Sequence, residues 1–269
     1  MTDRVTVGAV YCLYEDWRWL EYSIKSIYSV VDKIFFLVSS RPWHKQDSYT
    51  QANNEKTLSV IQSFNDKDNK FVLIQSDWEP PETNKRNFGL DLIRKAGLDY
   101  CLIIDADEVY ETDQLRTVIQ IAELNPQLDV FRCHMYTYWK SEHFRIDPPE
   151  QYSPCILVKT TDNILFYENR DVSGKLVGII PPECCIMHHF SYARTDEELL
   201  RKHIFVPGHS QSAIPNWYEN VWKAWDNDHH MINLHPVWPQ VYQKAIPISM
   251  SELPKVFLEY ENSDSIRIK

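Results

Sequence analysis

CLIIDADEVYETDQL, residues 101–115, runs from apolar residues that read as a core strand straight into Asp105, Asp107 and Glu108. Strands commonly end in polar loops, so acids at such a place need carry no chemistry. Two carboxylates on one rim can also hold a divalent cation, and the surrounding sequence has to decide between the two. Residues i and i+2 of an extended segment point to one side, so Asp105 and Asp107 are expected to face a common ligand site. A hard cation such as Mg²⁺ or Mn²⁺ takes oxygen ligands and usually shares them with substrate phosphates.

Upstream, strand and helix patterns alternate. Val5 to Leu13 is a β-branched apolar run, followed by Trp17, Leu20, Ile24, Ile27, Tyr28 and Val31 at helical spacing. Residues 33–39 (KIFFLVS) read as a second strand, 51–64 as a second helix and 71–75 as a third strand. A third helix is expected after Pro80-Pro81, with Thr83 as N-cap and Gly97 just past its end. Residues 100–104 are then the fourth strand. This order predicts an α/β fold, a Rossmann-like, mostly parallel sheet with helices on both faces. Ligands of such sheets lie beyond the carboxyl ends of the strands, where Asp105 and Asp107 stand.

After residue 125 the alternation fails. Strands are expected at 128–139, 155–159 and 163–167, a helix opens at the capping box Thr195-Asp-Glu-Glu198, and another helical segment covers 217–225. Prolines break up an irregular, helical C-terminal part, and no Gly/Ser linker or repeat marks a boundary. One domain is expected over 1–269, with a nucleotide-binding half at 1–125 and an acceptor half with the C-terminal helices at 126–269.

Composition sets limits. The chain has 269 residues, is 43% hydrophobic and carries a net charge of −10, which excludes general disorder and any broad attraction for nucleic acid. Its six cysteines form no C-x-x-C pair and no small disulfide framework, in keeping with a reducing, cytoplasmic location. No window reaches eighteen apolar residues and the N-terminus lacks a signal-peptide pattern, so no transmembrane segment is expected; the sequence leaves peripheral membrane contact and oligomeric state open. The Gly-rich phosphate cradles G-x-G-x-x-G and G-x-x-x-x-G-K-[ST] are absent, and with only 6 Gly the backbone cannot be the main phosphate ligand. A metal ion held by side chains is the remaining general solution.

Strand one, Glu15, the amphipathic helix, KIFFLVS, Lys85-Arg86-Asn87 and LIIDADE together resemble the GT-A fold of family 2 glycosyltransferases, across roughly residues 4–125. A similar His, Tyr, Arg and Lys pattern continues through residues 188–194 to Lys202 and His209. The resemblance implies an inverting transfer of sugar from a nucleoside diphosphate sugar, a UDP-sugar first, to a glycan, lipid-linked or protein acceptor. It implies that Asp105 contacts the ribose or the metal's water shell, that Asp107 ligates Mn²⁺ or Mg²⁺, and that Glu15 sits where base and ribose enter. Arg86 and Asn87 would lie near the diphosphate. The same similarity makes His189, rather than its neighbour His188, the further metal ligand, and gives Lys202 to the leaving diphosphate.

One departure from the family pattern is Ser39-Ser40-Arg41, which stands where an acid cluster is usual after strand two. Inverting transfer needs a general base, normally Asp or Glu; Asp171 and Glu168 in FYENRDVSG are preferred to Glu183. Trp139 is the expected sugar-stacking aromatic. The competing readings are a nucleotidyltransferase or metal-dependent phosphohydrolase on a related sheet, or a sugar- or nucleotide-binding protein without turnover.

Overall fold

The computed structural model describes residues 4–42, 51–205, 213–228 and 231–258, the side chains of 202–205 excepted. In chain order its elements are β1 (Val7–Leu13), α1 (Leu20–Tyr28), β2 (Lys33–Val38), α2 (Glu55–Ser63), β3 (Phe71–Gln75), α3 (Glu82–Lys95), β4 (Tyr100–Ile104), β5 (Glu108–Tyr110), α4 (Thr112–Leu124) and β6 (Val130–Trp139). There follow β7 (Phe144–Asp147), β8 (Cys155–Lys159), β9 (Phe166–Glu168), β10 (Asp171–Val172), β11 (Val177–Ile180), β12 (Ile186–Tyr192), α5 (Asp196–Phe205), a π-helical turn (Tyr218–Lys223) and β13 (Lys244–Pro247). The chain divides into two compact units, Met1–His134 with Ser153–Met187, and Met135–Tyr152 with His188–Lys269.

In the first unit β4, β1, β2 and β3 lie side by side in that order, all parallel. Beyond β4, β8 runs antiparallel and pairs in turn with the start of β6. The mixed α/β class with a mostly parallel central sheet is the one expected from the alternation. Its strands read as nearly continuous apolar runs because both faces are covered: every residue of β4 is buried. On one face Val10, Leu37 and Ile103 pack with Leu90 and Ile93 of α3.

Helix α3 lies antiparallel to β1. Its Lys85 Nζ donates to the Leu13 carbonyl at the strand's end, 2.9 Å away. One turn on, a Cβ at Gly89 would stand 2.5 Å from Val10 Cγ1, and Ile93 meets Gly8. The bare Gly89 therefore lets helix and strand approach closely, and this orientation delivers the first turn of α3, with Arg86 and Asn87, to the carboxyl ends of the strands. The expected cap is corrected here. Helix α3 starts at Glu82 with Pro81 in the capping position at φ −82, so Thr83 falls inside the first turn and is buried. A proline preset to that φ takes the helix entry. Gly97, at φ +69, ends the helix as expected.

The second unit is organised by aromatic packing. Trp139, Tyr192, Trp217, Trp222 and Tyr242 share one core with Ile146, Leu199 and Leu234. Trp139 has no exposed surface and lies 4.9 Å from Trp222, which overturns its expected role as a sugar-stacking face. Aromatic spacing along β6 and the π-helical turn reports core. The expected capping box is present: Glu198 N–H donates to Thr195 Oγ1 at 3.3 Å, and Thr195 N–H donates to Glu198 Oε2 at 2.9 Å.

His188 in β12 is a core histidine of this unit. Its Nδ1 meets the Tyr138 hydroxyl at 2.6 Å, and burial, helped by Arg145, pushes its pKa from 6.5 down to about 3.

Two predictions follow from this packing. Gly89→Ala sets a methyl group against Val10; overpacking of this kind costs about 1–3 kcal/mol, against at most about 1 kcal/mol of gained helix propensity. Urea unfolding should show a net loss of stability, and a stabilised variant would refute the close approach. His188 has a folded pKa below its unfolded one, so the stability it contributes is present above pH 6.5 and is lost as pH falls toward 3. At about 1.4 kcal/mol per pH unit, lowering pH from 7 to 5 should cost the wild type about 2 kcal/mol that His188→Phe does not lose. Parallel pH profiles for the two proteins would refute this.

Candidate functional site

The carboxyl end of β4 is a tight turn. β4 stops at Ile104, the Glu108 N–H donates to the Asp105 carbonyl at 3.1 Å, and β5 begins at Glu108. Glu108 closes the turn a second time, since its Oε2 accepts from the Asp105 N–H at 3.0 Å. The extended i, i+2 geometry expected for Asp105 and Asp107 is thus corrected. Both are half-buried at the carboxyl end of β4 beside β1, but as members of a turn that the third acid ties together.

Asp105 is gripped by arginines. Arg86 Nη2 lies 3.2 Å from its Oδ1 and 3.4 Å from its Oδ2, and Arg86 also pairs with Glu82 one turn earlier in α3. Arg170 Nη2 lies 3.7 Å from Asp105 Oδ2. Arg170 itself makes a two-pronged contact with Glu108, Nη1 to Oε1 at 2.6 Å and Nη2 to Oε2 at 2.7 Å. Burial pushes the Glu108 carboxyl up to about 7 against the opposing pull of Arg170. The two-pronged contact with Arg170 favours the ionised form of Glu108.

Arg170 reaches this place through Asn87. The Asn87 side chain imitates a strand partner: its Nδ2 donates to the Phe166 carbonyl at 2.9 Å and its Oδ1 accepts from the Phe166 N–H at 2.8 Å. This fixes the β9–β10 hairpin on α3. The hairpin turns through Asn169, at φ +40, a value that Asn tolerates, and Arg170 follows. Of the two expected bases on this hairpin, Glu168 is exposed, and Asp171 is half-buried and ion-paired with Arg132.

Glu15, just past β1, has φ +54, outside the usual range of a non-glycine residue. Its Oε1 accepts from the Asn53 N–H at 2.6 Å and its own N–H donates to Asn54 Oδ1 at 2.9 Å, so it ties the β1 end to the start of α2. Across the sheet, Ser39-Ser40-Arg41 surrounds a carboxylate after all. Asp77, beyond β3, accepts from the Ser40 N–H at 2.8 Å, from the Arg41 N–H at 3.2 Å and from both serine hydroxyls. These hydrogen bonds outweigh the cost of burial and hold its pKa below the usual value. A shallow cleft beside it is lined by Ser39, Arg41, Trp78, Glu82 and Lys85.

His189, half-buried in β12, and Lys202, in α5, belong to the second unit. The Lys202 side chain and His209 lie outside the described residues. Among the described residues no group of three or more His, Cys, Asp or Glu is placed to hold a metal ion. Mg²⁺-type sites commonly use one or two carboxylates plus substrate phosphates; in the first unit Asp107 is half-buried at the end of β4, and Asp105 is contacted by two guanidinium groups.

Sequence reasoning missed Arg170, Glu108 and Asp77. Glu108 had a signal, three residues after Asp105. Arg170 and Asp77 had none beyond their types.

No protein-family model and no curated protein matches the chain. Solved structures similar to it include S. aureus TarS 1–349, at 12% identity and TM-score 0.43 over 75% of this chain. The same TarS segment in complex with UDP-GlcNAc matches at 13% and 0.46 over 78%. GalNAc-T7 with UDP, GalNAc and Mn²⁺ matches at 9% and 0.47 over 78%. The chain spans 50–64% of the length of these structures' own chains.

Proposed function

We propose that the chain transfers a sugar from a nucleoside diphosphate sugar, a UDP-sugar first, to a hydroxyl of a glycan, lipid-linked or protein acceptor with inversion. The observation that carries this is the Asp105–Glu108 turn at the carboxyl end of β4, where one acid is fixed by two buried arginines and a second, Asp107, stands two residues on. Asp105, with its charge compensated, accepts hydrogen bonds from the donor's ribose hydroxyls. Asp107 and the donor diphosphate would together hold Mn²⁺ or Mg²⁺, which when bound stabilises the departing diphosphate as a Lewis acid.

In a direct displacement the acceptor oxygen attacks the anomeric carbon, the bond to the diphosphate oxygen breaks, and the hydroxyl proton passes to a carboxylate. Glu168 is accessible at the end of β9 and Asp171 is engaged by Arg132, so Glu168 is the first choice for that base and Asp171 the second. Glu15 and Arg86 frame the ribose and diphosphate side of the same strand ends.

A thermal-shift titration tests the reading. At a UDP concentration of about 100 times Kd, binding adds about 2.7 kcal/mol to the native state, which for a chain of this size raises Tm by about 5–10 °C. UDP with Mn²⁺ should produce that rise in the wild type, and Asp107→Ala should abolish the part that depends on Mn²⁺. UDP-sugar turnover should release UDP and neither phosphate nor pyrophosphate. No shift with UDP, GDP, CDP or TDP, with or without Mn²⁺, would refute the proposal.

A further inference from the structure

Five charged side chains of alternating sign form one chain in the first unit: Glu82, Arg86, Asp105, Arg170 and Glu108. The two arginines and Glu108 are almost wholly buried, while Asp105 keeps a third of its side chain in water. Stability does not account for the arrangement. Buried ion pairs repay their desolvation poorly, and here the Nε atoms of Arg86 and Arg170 are both buried without a hydrogen-bond partner. A buried polar network left partly unsatisfied is worse than an apolar filling. Such rule-breaking is concentrated at functional sites.

Its geometry converges on a single group. Glu108 Oε2 accepts from the Asp105 N–H and from Arg170 Nη2, so one carboxylate sets both the backbone of Asp105 and the guanidinium that faces its side chain. The guanidinium fork fixes an angle that a lysine ammonium, a point charge on a flexible stem, does not. Asn87 holds the hairpin from which the fork projects.

We infer that Arg170, anchored by Glu108, is a positioning residue for donor binding: it fixes the Asp105 carboxylate in the orientation that receives the donor's ribose hydroxyls. The inference rests on the nucleoside diphosphate sugar reading above. It differs from a merely structural role in one measurable respect, since a positioning residue acts through Asp105 and loses its effect when Asp105 is removed.

Calorimetric titration with UDP in Mn²⁺ tests it on wild type, Asp105→Asn, Glu108→Gln/Arg170→Met, and the triple variant. The paired substitution removes both buried charges together, which buried pairs tolerate far better than loss of one partner. It should weaken UDP about tenfold with a Tm near wild type, and the triple variant should bind no more weakly than Asp105→Asn alone. Wild-type affinity in the paired variant, or a loss that adds in full to that of Asp105→Asn, would overturn the inference. If the paired variant shows no cooperative melt, Arg170→Lys carries the test: UDP weakened several-fold supports positioning, and unchanged affinity overturns it. Failure of the wild type to bind any nucleoside diphosphate would overturn the donor reading itself, and this inference with it.

Discussion

Asp105 can stand at the end of a core strand because two guanidinium groups, themselves nearly out of water, meet its charge. A half-buried carboxyl group without such partners would ionise at a cost, and Glu108, one turn away and almost wholly buried, would face a larger one. The first unit is built to deliver those guanidiniums. Gly89 lets α3 close on β1, which carries Arg86 over the strand ends. Asn87, the next residue, locks the hairpin that carries Arg170. One turn of helix thus supplies one arginine directly and the other through a backbone clamp, and each element around β4 has a geometric duty toward the same acid.

What could be read in the sequence follows from the range of the interactions that decide it. The four parallel strands and their helices were legible because apolar runs and 3.6-residue periodicity are local signals. The place of Asp105 was legible because strand order fixes where ligands lie. The shape of its turn was not. Three acids in four residues look alike in sequence, and only the return of Glu108 Oε2 to the Asp105 N–H distinguishes a closed turn from an extended end. Arg170 lies 62 residues from Glu108 and Asp77 lies 37 from Ser40; no periodicity links such pairs. Aromatic residues misled for a related reason, since Trp139 shows the same pattern whether it stacks on a sugar or on Trp222.

The second unit follows a different logic. Its core is assembled from large rings, and some of their polar atoms find partners there while the buried Trp139 indole nitrogen has no hydrogen-bond partner. The Trp217 indole N–H donates to the Leu234 carbonyl at 2.8 Å, and His188 Nδ1 shares a hydrogen bond with the Tyr138 hydroxyl. The hydrogen bond to Tyr138 and the burial that lowers its pKa make His188 a core group: an imidazole held neutral in this way serves packing before chemistry. The adjacent His189 is half-buried. The chain passes between the units three times, within β6, between Tyr152 and Ser153, and within β12, and two of these crossings lie inside strands, where no linker composition could mark the division.

Charge bears on how the site would hold its ligand. The Glu82–Glu108 network carries three carboxylates against two guanidiniums, so it is already anionic by one, and Asp107 beside it adds a second negative charge. A donor diphosphate approaching those strand ends meets no net positive field from these residues, and the chain as a whole is at −10. Hydrogen bonds from ribose to Asp105 can orient the nucleoside, but they do nothing for the phosphates. Coulomb's law at such distances penalises the diphosphate unless a cation stands between it and Asp107. The acids that identify the site therefore also set its requirement: on the proposed reading, nucleotide and divalent cation bind together, each reducing the cost of the other.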